Sequence, residues 1–175
     1  MINLIRKSRQ QKELKKYKHL IHKILNNPHN QWILNDKVVS RSLFTFNDLL
    51  MPKHHQKLLQ SKDIIILPVS GQFSCTVQQP SNSSIVLLFP ELIKILSNVD
   101  NSRGIAILAH EFGHIYHKHY EKHIPTINAQ IEADHFAFEL GLAESLLETL
   151  ITFKDLDSQT RVSILTSKVL SDQHS

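Results

Sequence analysis

The run AILAHEFGHIYHKHY, residues Ala106 to Tyr120, places four histidines and one glutamate directly after an apolar segment. His110, Glu111 and His114 within it form the pattern H-E-x-x-H. On a helix, histidines four residues apart lie on one face, so both imidazoles can reach a single ion while the glutamate projects beside them. The apolar residues GIAILA before the motif indicate a helix that enters a hydrophobic core. The run therefore predicts a buried helix that carries a metal site.

Zn²⁺ is the ion that this pattern predicts. Zinc lowers the pKa of a bound water from about 15.7 to about 7, and Glu111 can accept the released proton. His110, His114 and Glu111 would thus supply two ligands and the general base for peptide hydrolysis. Gly113, inside the motif, costs the helix about 1 kcal/mol relative to alanine, so we expect it to mark a close approach of another backbone.

The neighbouring histidines are assigned lesser roles. His117 continues the face of His110 and His114 one turn on, beyond the expected reach of the ion. His119 and His123 are expected to be solvated or to support a ligand without binding metal. The metzincin pattern requires glycine at position 117 and histidine at position 120, where this chain has His117 and Tyr120, so that class is excluded.

Composition indicates one soluble domain with a hydrophobic core. The chain has 175 residues, 41% of them hydrophobic and 21% charged. A single cysteine excludes an internal disulfide and fits a reducing compartment. No apolar run approaches the roughly 20 residues that span a bilayer, and the N-terminus lacks the order of a signal peptide. We expect a cytoplasmic protein without a membrane span.

Positive charge is concentrated at the N-terminus. Residues 1–25 contain eight lysines or arginines and one glutamate, whereas residues 26–175 sum to −3. Apolar residues at helical spacing predict a basic amphipathic helix over residues 1–27, followed by a metallopeptidase domain over 28–175. We expect the apolar stripe to dock on the domain and the lysines to be solvated, with no nucleic-acid partner. Binding of nucleic acid or an anionic membrane is the alternative.

The order of the predicted elements indicates an α+β fold. Residues 31–62 predict a loop or short strand and then a helix over about 47–60, interrupted at Pro52. Three strand-like runs follow, DIIILPV, QFSCTVQ and SIVLLF, and their connections favour an antiparallel hairpin or meander. From Pro90 onward the pattern is helical, with Thr126 as a possible helix cap and a helix end near Gly141.

The stretch ILAHEFGHIYHKH, followed after a short loop by IEADHFAFELG, resembles the gluzincin metallopeptidases. The most similar groups are the HtpX and CAAX-prenyl-endopeptidase group, the ImmA/IrrE-like proteases and the Lit-like phage-exclusion proteases. The resemblance covers roughly residues 85–150. It implies a zincin-like α+β fold, in which a small antiparallel or mixed sheet precedes a helical half that carries the metal site. It also implies a zinc-dependent endopeptidase for a protein or peptide substrate, in regulatory proteolysis. The membrane-embedded relatives carry spanning helices that this chain lacks.

The third metal ligand is where the chain departs from that family. The family places a glutamate four residues before an aspartate that orients a zinc histidine; here Gln130 precedes Asp134. Glu132 lies about 200° around the helix from both. We predict His110, His114 and Asp134 as the ligand set. The alternatives are the amide oxygen of Gln130, a displaced Glu132, or a decayed site in a non-catalytic zincin-fold binding or regulatory protein.

The family also implies a cationic or hydrogen-bonding group that stabilises the oxyanion. Downstream of the third ligand the candidates are His135, Arg161 and His174, of which we predict Arg161. A substrate would lie extended along an edge strand, supplied by SIVLLF or QFSCTVQ.

Overall fold

A small sheet separates two groups of helices along the chain in the computed structural model, which describes residues 19–61, 63–70, 74–78 and 83–174. The first helix, α1, is described over residues 19–26. The other elements are a 3-10 helix (Pro28–Leu34), α2 (Lys37–Leu49), α3 (Pro52–Leu58), β1 (Asp63–Pro68), β2 (Ser74–Gln78), β3 (Ser83–Leu88), α4 (Pro90–Leu96), α5 (Ser102–His117), a second 3-10 helix (His119–Glu121), α6 (Thr126–Glu139), α7 (Ala143–Leu150) and α8 (Leu156–Asp172).

The sheet is mixed, with strand order β1-β3-β2. β3 pairs in parallel with β1, from Asp63 opposite Ser83 onward, and antiparallel with β2. The α+β class and the mixed sheet are therefore confirmed. The predicted antiparallel hairpin is confirmed for β2 and β3, whereas the alternative of a meander is wrong, because a meander puts β2 in the centre. Two parallel strands that are neighbours need a long connection. Here that connection contains β2, which runs antiparallel to β3 on the outer side of the sheet, so that β3 lies between β1 and β2.

The segment before the sheet is helical, so the predicted loop or short strand is wrong. The carboxylate of Asp36 caps α2 by accepting hydrogen bonds from the backbone N–H groups of Val38 and Val39, both at 3.0 Å. The predicted helix over about 47–60, interrupted at Pro52, is right only in part, because the residues before the break belong to α2, which ends at Leu49, and a separate helix, α3, begins at Pro52. Proline at the first helical position costs no hydrogen bond, so Pro52 starts a helix there and does not interrupt one.

Helix α5 runs through the core, as predicted for the apolar half of the run. Residues 104–113 are all buried. Phe112 packs against Phe46 of α2 with ring centroids 4.6 Å apart. At the end of the motif, a Cβ atom on Gly113 would lie 2.9 Å from the Cα atom of Ala133 in α6. The predicted close approach at Gly113 is confirmed, and it brings α6 against the histidine face of α5.

The end of α1 is tied to the sheet through one buried side chain. The amide of Asn30 donates to the carbonyls of Ile24 and Ile64, at 2.7 and 2.8 Å, and its oxygen accepts from the Ile66 N–H at 2.7 Å. The apolar residues of α1 belong to the main core: Leu20, Ile21, Ile24 and Leu25. The predicted basic helix lies largely in residues 1–18, outside the described residues, and the domain boundary at residues 27 and 28 stays a prediction.

Candidate metal centre

His110 and His114 turn their Nε2 atoms toward each other from successive turns of α5, 3.2 Å apart. Two nitrogens bound to one tetrahedral zinc at about 2.0–2.1 Å would be separated by about 3.3–3.4 Å. The pair therefore fits a single ion without rearrangement. Burial, reinforced by His110 and His119, lowers the pKa of His114 to about 3, so the ring is neutral at neutral pH. Metal binding requires that neutral form.

The opposite edge of the His110 ring contacts a carboxylate. Nδ1 of His110 lies 2.8 Å from Oδ1 of Asp134 in α6, and Asp134 is only 2% exposed. A proton on Nδ1 that bonds to this oxygen leaves the Nε2 lone pair available to an ion. Asp134 thus has the position of a group that orients a ligand, on the far side of the ring from Nε2.

Arg161 of α8 holds Asp134 with two hydrogen bonds. Its Nε and Nη2 atoms lie 2.8 and 2.7 Å from the two carboxylate oxygens. Burial alone would raise the pKa of Asp134, but the hydrogen bonds from Arg161 and His110 outweigh it and lower the pKa. The Asp155 carboxylate caps the start of α8 by accepting from the Ser158 N–H at 2.8 Å, which helps to place Arg161.

Gln130 stands one turn before Asp134 on α6 and faces the histidine pair. Its amide nitrogen lies 3.5 Å from Nε2 of His114. A half-turn of the amide brings its carbonyl oxygen, a possible metal ligand, to the same place. Among the described residues, Gln130 is thus the α6 side chain that approaches the Nε2 side of the pair.

Glu132 points to a different group of histidines. Its Oε2 atom lies 3.0 Å from Nε2 of His119, 3.0 Å from Nζ of Lys122 and 3.6 Å from Nδ1 of His117. The hydrogen bond from Lys122, together with His119, lowers the pKa of Glu132 to about 2. Glu132 is therefore engaged away from the His110 and His114 nitrogens.

His119 takes the second of the two roles predicted for it, because it is buried against a candidate ligand and is not solvated. Its side chain is 6% exposed, and its Nδ1 lies 2.8 Å from Nδ1 of His114. The left-handed backbone at Lys118, with φ of 54°, ends α5 and turns His119 back toward the helix. No pattern in the sequence announces such a reversal at a lysine. His119 therefore contacts the back of His114, as Asp134 contacts the back of His110.

The predicted site residues are otherwise placed as follows. Glu111 is buried, 5% exposed, beside His110 on α5. The ligand role of Asp134 and the oxyanion role of Arg161 stay predictions. Their mutual ion pair lies behind His110, away from Nε2, and favours other roles for both residues. His117 lies with Glu132, and His123 is exposed.

Residues 80–145 match the model of peptidase family M48. This region contains the H-E-x-x-H helix and the whole of α6, and it covers less than half of the chain. The match supports a zinc metallopeptidase family and metallopeptidase activity, and so a protein or peptide substrate. No curated protein and no solved structure matches the chain. The particular gluzincin subgroup stays a prediction.

The described part of the chain was also searched for a membrane-spanning helix. Among those residues, no helix combines the length and the apolar character needed to cross a bilayer.

Proposed function

We propose that this protein is a zinc-dependent endopeptidase that hydrolyses a protein substrate by activating water. The observation that carries the proposal is the 3.2 Å approach of the His110 and His114 Nε2 atoms, with the buried Asp134 on the back of His110. Histidines that share a helix by chance need not have their Nε2 atoms within ligand distance, and need not have a buried carboxylate behind one ring. The family match over residues 80–145 supports the same chemistry.

The ligand set that we propose is His110, His114 and the amide oxygen of Gln130. Gln130 approaches the Nε2 side of the pair, whereas Asp134 contacts the other edge of His110. Asp134 would then fix the tautomer of His110, and Arg161 would keep the Asp134 carboxylate ionised and in place. Zinc bound here would act as a Lewis acid and lower the pKa of water.

The chain's own contribution to the reaction would come from Glu111. Its carboxylate follows His110 on the same helix and would accept a proton from the attacking water, then pass it to the leaving amine. Its burial shields that transfer from bulk solvent. The regulatory role and the cytoplasmic location implied by the sequence stay predictions.

The test is the Glu111→Gln variant. Replacing the base by a neutral amide of equal size should lower hydrolysis of an unfolded protein substrate by at least about a hundredfold. Zinc content and circular dichroism should be unchanged. The exposed His123→Ala variant, as a control, should retain activity. A fully active Glu111→Gln protein would refute the proposed mechanism.

Gln130 also favours a second candidate, a non-catalytic zincin-fold regulatory protein. A neutral amide is a weaker zinc ligand than the carboxylate found in the family, so the site could have lost its metal. Zinc analysis after dialysis separates the two functions. Substantially less than one equivalent of zinc per chain, together with no peptidase activity, would support the regulatory protein.

A further inference from the structure

A second group of ligand atoms lies next to the proposed zinc site. His117, His119 and Glu132 each offer one atom, and the three atoms lie within 4.8 Å of one another. The group combines the end of α5, the following 3-10 helix and α6. The rings of His117 and His119 are stacked, with an interplanar angle of 5°. The two rings thus present an edge to the same carboxylate.

The distances from the Glu132 carboxylate oxygen to the two ring nitrogens match those of a metal site. Oε2 of Glu132 lies 3.0 Å from Nε2 of His119 and 3.6 Å from Nδ1 of His117. Two ligands on one tetrahedral zinc are separated by about 3.3–3.4 Å, between these two values. Two imidazoles and a carboxylate form the donor set of many zinc and cobalt sites.

We propose that His117, His119 and Glu132 form a second site for a divalent transition metal, distinct from the His110 and His114 pair. The site goes beyond the proposed peptidase function, since none of its three residues is a metal ligand or the base in that reaction, although His119 contacts the back of His114. His117 and Glu132 are partly exposed, with side chains 24% and 39% accessible, so an ion can enter from solvent.

Lys122 competes with an ion for the carboxylate. Its Nζ atom lies 3.0 Å from Oε2 of Glu132, but its side chain is 40% exposed. An exposed ion pair of this kind contributes little free energy, so a divalent ion can displace the ammonium into solvent. Removing the lysine charge should therefore strengthen metal binding at this site.

The two sites are coupled through the hydrogen bond between His114 and His119. A neutral histidine that binds metal through Nε2 carries its proton on Nδ1. The Nδ1 atoms of His114 and His119 lie 2.8 Å apart, and two N–H groups cannot hydrogen-bond to each other. Metal in the second site should consequently weaken metal binding in the first, and the second site should bind more tightly when the first is disabled.

The experiment is a cobalt(II) titration of the metal-free full-length chain, followed by visible absorption and equilibrium dialysis. His110→Ala disables the proposed zinc site and should retain one equivalent of cobalt. Adding His117→Ala should abolish that equivalent. In the His110→Ala background, Lys122→Met should raise the affinity of the second site for cobalt severalfold, whereas His123→Ala should leave that affinity unchanged. A folded His110→Ala protein that binds no cobalt, or one whose binding survives His117→Ala, overturns the proposal.

If His110→Ala does not fold by circular dichroism, the wild type and His117→Ala decide the question. Two equivalents in the wild type and one in His117→Ala would support the second site; an unchanged number would overturn it. A first site that binds no metal, which would contradict the peptidase proposal, gives a different result. In that case the wild type binds a single equivalent, which His117→Ala removes.

Discussion

At the scale of single residues, Gln130 is what distinguishes this site from the gluzincin pattern. It lies one turn from Asp134 and faces the Nε2 side of the histidine pair, 3.5 Å from His114. A neutral amide there leaves the proposed site with no anionic ligand from α6. We therefore expect weaker zinc binding than a glutamate would give, with the same geometry.

Gln130→Glu should raise the affinity for zinc by at least about tenfold, because the carboxylate supplies the anionic oxygen that zinc sites commonly use. Competition with a chromophoric chelator measures the change. The measurement belongs in the His117→Ala background, so that metal at the second site does not contribute. Gln130→Ala is the matched control and should weaken binding. An unchanged affinity in both variants would show that residue 130 is not a ligand.

The residue scale also shows how far the sequence could predict the site. The two histidines and Glu111 follow from spacing on one helix, a local property. The family resemblance implies that Asp134 orients a zinc histidine, but its ion pair with Arg161, 27 residues further along the chain, joins two helices. His119 depends on a left-handed turn at Lys118. Such contacts are set by tertiary packing, which residue spacing does not encode.

At the scale of elements, the site depends on how closely α5 and α6 approach each other. Gly113 permits the contact: a Cβ atom there would lie 2.9 and 3.0 Å from Cα and O of Ala133. Both are backbone atoms of α6, so neither can move without shifting the helix that carries Gln130 and Asp134. The glycine within the motif thus sets the distance between the histidines and their partners.

Gly113→Ala should lower the free energy of unfolding by about 1–3 kcal/mol through overpacking. The better helix propensity of alanine should offset up to about 1 kcal/mol of that loss. The substitution should also weaken zinc binding. Gly104→Ala is the control in the same helix. A Cβ there would lie 2.6 Å from the side chain of the buried Leu96 in α4, so the substitution should also destabilise the fold but should leave zinc affinity unchanged. Urea denaturation measures both, and a Gly113→Ala protein more stable than the wild type would contradict the account.

Elements were predictable where the signal is local. The helices after Pro90 follow from apolar periodicity, and α6 ends before Gly141, whose φ is 76°. Strand order was not predictable, because the β1–β3 pairing joins strands separated by β2. The helical character of α2 could have been predicted, because Val39, Leu43 and Phe46 recur at helical spacing behind the Asp36 cap and are all buried.

At the scale of the whole molecule, residues 19–26 pack as part of the same core that surrounds α5. Ile24 is 1% exposed and belongs to the cluster that contains Phe112. Asn30 ties the end of this helix to the backbone of β1. The apolar side of α1 therefore contributes to the stability of the domain.

Ile24→Ala should destabilise the protein by about 2–5 kcal/mol, because it leaves a cavity in the core. The free energy of unfolding, from urea titration, is the measurement. His22→Ala, on the exposed side of the same helix, should have little effect. Equal and small effects of the two substitutions would indicate that the N-terminal helix is an independent unit.

The zinc position tests the central claim most directly, in crystals of the zinc-loaded chain examined by anomalous scattering at the zinc edge. We expect a peak at about 2.0–2.1 Å from Nε2 of both His110 and His114, and about 2.0–2.2 Å from the Gln130 amide oxygen. Asp134 at the third position would refute the assignment of Gln130. A chain that retains zinc without contact to His110 and His114, or that retains none, would contradict the account.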